Sequence, residues 1–107
     1  MKISRRSYLV QILLPLCNNS GKVFPASFYK AVKANLSGQF EGLTAYTRAA
    51  AEGLWRVGKK MKRDDIVVYE VMVPSLDFKW WREYRSGLEK MFDQDSIVIR
   101  AQKIVVP

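Results

Sequence analysis

Ile66-Val67-Val68-Tyr69-Glu70-Val71-Met72-Val73, closed by Pro74, is the stretch on which the fold turns. β-branched and aromatic residues fill it almost throughout, which suits a strand. Alternation puts Val67, Tyr69, Val71 and Val73 on one face. The other face carries Ile66, Val68, Glu70 and Met72. Apolar residues of both parities mean that both faces of the sheet need cover, and a lone carboxylate, Glu70, sits in the middle of the second face.

Working outward, Ser75 or Asp77 can cap a helix in which Trp80, Trp81, Tyr84, Leu88, Met91 and Phe92 share one apolar side. Ile97 to Val106 then reads as a final strand. Upstream, Tyr8 to Leu14 is a first strand, stopped by Pro15 and the turn cluster Asn18 to Gly21. Pro25 suits a helix start, and Phe28, Val32, Leu36 and Phe40 recur every fourth residue. Leu43 to Arg48 is a second strand. It is expected to bend over Ala49–Gly53, resume at Leu54–Val57 and turn at Gly58.

The order strand, helix, strand, strand, helix, strand is that of an α+β, ferredoxin-like βαββαβ sandwich. It implies a four-stranded antiparallel sheet, strand order 4-1-3-2, with two helices on one face. One domain over residues 1–107 is expected at this length. Tyr8, Val10, Ile12 and Leu14 then belong under the helices with the Val67 set. Leu9, Gln11, Leu13, Val98, Arg100 and Gln102 join Glu70 on the second face, with Thr44, Tyr46 and Arg48 from strand 2. Such a face, apolar with isolated polar groups, marks an interface or a ligand groove. A second copy is the economical cover, so a homodimer is expected.

In element order and face pattern, nearly the whole chain resembles the dimeric α+β barrel superfamily. Its members pack two such sheets face to face around a cavity. Gly42-Leu43-Thr44 and Gly53-Leu54-Trp55-Arg56, followed by a basic hairpin, resemble segments of uncharacterised small bacterial proteins. The superfamily includes cofactor-independent oxygenases, isomerases, haem-degrading enzymes and ligand sensors, so the resemblance implies a fold and a cavity without selecting an activity.

Composition narrows the chemistry. The chain has no histidine and one cysteine, Cys17. Neither a zinc site nor a Cys–His nucleophile pair can be built, no phosphate-binding loop is present, and no cofactor is expected. A histidine-ligated haem is equally excluded. With no disulfide to form, a cytoplasmic protein is expected. Lys2, Arg5 and Arg6 before the apolar run to Cys17 resemble a secretory signal. However, Gln11 interrupts the run, Leu16 stands where a small residue belongs, and cleavage would delete strand 1. No segment is long enough to span a bilayer, so no membrane partner is expected.

The candidate catalytic residues are Glu70, as general acid or base, with Arg48 as anion stabiliser and Tyr46 beside it. The structural alternative for Glu70 is a cross-strand ion pair or an intersubunit bridge. Gln11, Trp55, Met72 and Arg100 are candidate ligand-binding residues for a small, anionic organic molecule. Trp55 could cover a cavity mouth or pack on its own hairpin. Glu52 could be a loop site residue or a solvated charge, and Cys17 a thiol or a small packing residue.

The net charge of +8 leaves a nucleic-acid module as the competing class, since RNA-recognition domains share this topology. Strand 3 lacks their basic-Gly-aromatic pattern, and Tyr8 and Tyr69 are expected on the helix side. The clusters Lys2/Arg5/Arg6 and Lys59/Lys60/Lys62/Arg63, the latter followed by Asp64 and Asp65, read equally as solvated charge. A protein-interaction domain is the third possibility.

Overall fold

The computed structural model describes residues 6–40, 43–48, 55–57, 60–62 and 66–107, with side chains described over 7–40 and 66–107. Lys2, Arg5, Glu52, the Ala49–Gly53 bend, Gly58, Lys59 and Arg63 to Asp65 lie outside the described residues. The elements are β1 (Arg6–Pro15), α1 (Ala26–Gln39), β2 (Leu43–Arg48), β3 (Trp55–Val57), β4 (Lys60–Lys62), β5 (Ile66–Val73), α2 (Phe78–Met91) and β6 (Val98–Val105).

The protein is α+β, with two helices and an antiparallel sheet. β1 lies between β5 and β6 and pairs with both, while β2 pairs along the outer edge of β5, giving the order β2-β5-β1-β6. One expectation is corrected. Trp55–Val57 does not resume β2 but pairs with Lys60–Lys62 as a separate two-stranded sheet. The two short strands run antiparallel from Trp55 opposite Lys62 to Val57 opposite Lys60, and so satisfy each other locally.

Parity follows the sequence. Val10, Ile12 and Leu14 of β1 and Val67, Tyr69, Val71 and Val73 of β5 form one buried cluster with Val32 and Leu36 of α1, Trp81 and Leu88 of α2, and Phe92 and Ile97. Phe92 anchors one end, with Phe24 and Phe28 edge-on at 5.0 and 5.4 Å and Tyr29 tilted at 5.6 Å. At the other end Phe40 stacks flat on Trp81 at 5.2 Å. Such ring contacts add to what area burial alone supplies. Asp77 caps α2 by accepting the Trp80 backbone N–H at 3.1 Å, and Pro25 precedes α1.

Two tyrosines tie the core to the backbone. The Tyr29 hydroxyl donates to the Pro15 carbonyl at 2.6 Å, and the Tyr69 hydroxyl to the Tyr29 carbonyl at 3.4 Å. Burial pushes Tyr29 up from 10.0 to about 12, with Tyr69 and Cys17 adding to the rise. Burial also raises Tyr69, and it carries Tyr84, whose buried hydroxyl has no hydrogen-bond partner among the described residues, to about 12. A phenol whose folded pKa is raised loses its proton first in the unfolded chain. Stability is therefore expected to hold up to pH 10.0 and to fall as pH rises from there towards about 12. Thermal melts across that range should show the decline, and it should be shallower in Tyr29→Phe. A melting temperature independent of pH across the window would contradict the account.

Candidate functional site

The second sheet face holds the polar groups. Gln11, near the middle of β1, stands opposite Glu70 of β5 and Arg100 of β6, and Thr44 of β2 stands opposite Glu70. One row of positions thus crosses the sheet. Gln11 Nε2 donates to Glu70 Oε2 at 2.6 Å, and Arg100 Nε donates to Gln11 Oε1 at 2.8 Å. The amide orientation is fixed from both sides, because only its N–H can meet the carboxylate and only its oxygen can meet the guanidinium. Each bond has one charged partner, the stronger class of hydrogen bond.

The row is bounded by apolar side chains. Leu9, Leu13, Ile66 and Met72 are half-buried, and Val98 is 50% exposed. Val68 is only 2% exposed although it stands outside the helix-side core. Beside the row a cleft of about 70 Å³ is lined by Leu9, Gln11, Arg100, Ala101 and Gln102. At the sheet end, a larger cavity of about 310 Å³ is lined by Ser7, Tyr8, Pro74, Lys103, Ile104 and Val105. Nothing in the sequence marks that second cavity, because Ser7 and Lys103 meet only through the β1–β6 register.

The structure brings three expected residues together, namely Glu70, Gln11 and Arg100, with Met72 the next second-face residue after Glu70 on β5. The described partner of Glu70 is Gln11, and the pairing expected with Arg48 or Tyr46 falls on side chains outside the described ones. In register Tyr46 stands opposite Val68 and Arg48 opposite Ile66. The backbone of Arg48 is therefore four residues, roughly 13 Å, along β2 from the position facing Glu70. The side chains of Tyr46, Arg48 and Trp55 lie outside the described ones. What the sequence reading missed is the bridging role of Gln11. Parity places it on the right face, but only the registers on both edges of β1 make it the link.

Tyr69 is 1% exposed in the helix-side core and Tyr8 packs against that core, so neither offers a stacking surface on the second face. The second-face residues of β1, β5 and β6 include no aromatic ring among those described. Cys17 is a half-buried free thiol in an isolated bridge to Val23. Among the described residues no group of three His, Cys, Asp or Glu could hold a metal, and no helix is long and apolar enough to cross a membrane.

No family model matches the chain, and no curated protein matches it in sequence. Two solved structures match in fold. A phage SAM lyase in complex with S-methyl-5'-thioadenosine superposes with TM-score 0.62 at 9% identity, covering 99% of this chain and 95% of that one. A phage SAM lyase in the apo state gives TM-score 0.61 at 13% identity, with 100% and 90% covered. The likeness spans essentially the whole of both chains and, at these identities, is one of fold.

If Gln11 bridges two charges, deleting its amide leaves both short of a partner. Gln11→Leu is expected to cost about 1–3 kcal/mol in urea unfolding. Gln102→Leu, an exposed glutamine on β6, should change stability by no more than about 0.5 kcal/mol. Equal stability of the two variants would remove the bridge from the account.

Proposed function

We propose that the sheet face opposite the helices binds a small organic molecule, and that the chain is a cytoplasmic homodimer of the ferredoxin-like, dimeric α+β barrel type. The observation that carries the reading is the Glu70–Gln11–Arg100 row, an ordered set of polar groups among the mostly apolar described residues of that face. Charged groups aligned across a sheet contribute little to a face that meets only water. They are well placed to orient a ligand, for which a few fixed polar groups amid apolar walls are the usual arrangement.

The same row supports a face-to-face dimer. Glu70 and Arg100 lie on strands to either side of β1, with backbones about 10 Å apart. A two-fold axis running along β1 between two stacked sheets places the Arg100 of one copy over the Glu70 of the other. The face is therefore complementary in charge to itself, and its apolar residues find apolar partners.

The ligand class is suggested by the proteins that share the fold. One of them is a SAM lyase bound to a methylated thioadenosine, so an adenosyl thioether or sulfonium compound is the first candidate. A carboxylate on an apolar face suits a sulfonium cation, and Glu70 can also accept or return a proton without a cofactor. Positions 46 and 48, opposite Val68 and Ile66, could place Tyr46 and Arg48 around the same ligand, and Trp55 would cover its edge.

Calorimetric titration with methylthioadenosine, beside sedimentation equilibrium, tests the reading. A dimer that binds the compound, with affinity reduced about tenfold or more in Glu70→Gln, is expected. Incubation with S-adenosylmethionine should release the same thioether if the face also does the chemistry. A monomer that shows no heat of binding would overturn the proposal.

A further inference from the structure

We infer that the cavity at the sheet end, where β1 begins and β6 ends, is a second ligand site that takes a small apolar carboxylate. Lys103 meets the anion, and Tyr8, Pro74, Ile104 and Val105 hold the apolar body. The site is separate from the Glu70–Gln11–Arg100 row and goes beyond the reading of that row as a place for a ligand.

Its position follows from the register. Tyr8 of β1 stands opposite Lys103 of β6 and opposite Val73 of β5, and Pro74 follows Val73 directly. Tyr8 packs against the helix-side core, so Lys103, its ladder partner, stands on the helix side as well. Gln11 lies three residues further along β1, roughly 10 Å, and on the other face. Tyr8 and Lys103 are therefore engaged neither by the row nor by face-to-face pairing of two copies.

Charge selects the sign of the ligand. Lys103 is the charged side chain of this lining, and no carboxylate accompanies it. Among the described residues neither the Lys103 ammonium nor the Tyr8 hydroxyl has a hydrogen-bond or ion-pair partner. An ammonium with no carboxylate of its own, beside an apolar hollow, is complementary to a single negative charge. A phosphate dianion calls for several converging donors or a guanidinium fork, and one ammonium is a point charge. The Tyr8 hydroxyl is a second donor for the same carboxylate.

Shape selects the rest. The volume of about 310 Å³ falls at the small end of ligand pockets, which run from about 300 to 1,000 Å³. Val105 is 76% exposed and Tyr8 half-buried, so both keep apolar surface that a ligand would take out of water. Lys103 is exposed, which leaves the site open to entry.

Naphthoate and its neutral amide, naphthamide, are probes alike in shape that differ in charge. Calorimetric titration should find naphthoate bound about tenfold or more tighter than naphthamide. Lys103→Gln should bring that ratio to within about twofold of unity, and Lys103→Arg should keep it. Val105→Asp, at an exposed position, supplies the lysine with a carboxylate from the chain itself and should also remove the preference. A ratio near unity in the wild type, or a preference that outlasts Lys103→Gln, overturns the inference. So does loss of the preference in Arg100→Gln instead, which would put the anion on the row, and so does binding of neither probe. Each of these outcomes leaves the methylthioadenosine titration to succeed or fail by itself.

Discussion

The central position of β1, hydrogen-bonded along one edge to β5 and along the other to β6, is the constraint on which both faces depend. Because side chains alternate, that single strand commits Val10, Ile12 and Leu14 to the helices and Leu9, Gln11 and Leu13 to the opposite side. A slip of one residue would exchange the two sets and bury Gln11 beneath α1 and α2. The aromatic anchors at Phe92 and Trp81 hold the helices to one parity and so hold the register against that slip. The polar row on one face is thus fixed by packing on the other.

Much of this was legible in the chain. The parity of β1 and β5, the two helices, the Asp77 cap and the stripe through Val32 and Leu36 all follow from local pattern. What was not legible depends on how one strand slides along another. Alternation says that Glu70 and Arg48 share a parity class, but the β2–β5 offset decides that Thr44, not Arg48, faces Glu70. Likewise Trp55–Val57 has the composition to continue β2, and pairing with Lys60–Lys62 wins because partners so near in sequence cost little chain entropy to bring together. The cavity lined by Ser7 and Lys103 escaped notice for a related reason, since the two residues are remote in sequence and meet only through the β1–β6 ladder.

The fold shared with the SAM lyases at 9% and 13% identity fits this division. Layer architecture needs only apolar residues at the right period, and many sequences satisfy that. A site needs particular groups at particular registers, so likeness of fold transmits the location of a usable face more readily than the chemistry on it.

The interposed glutamine bears most directly on what the face is for. Had Glu70 and Arg100 been neighbours, they would have closed a bidentate ion pair, using both carboxylate oxygens and the forked edge of the guanidinium. Such a pair is a finished structural unit with nothing left to offer. Gln11 keeps the two charges on either side of a neutral amide, satisfies each once, and fixes where both point. For stability alone the arrangement adds little, because Arg100 is exposed and Glu70 only half-buried, and water meets what the amide does not. What the bridge does achieve is direction, since it sets where both groups point without neutralising either, and that is what orienting a bound molecule requires.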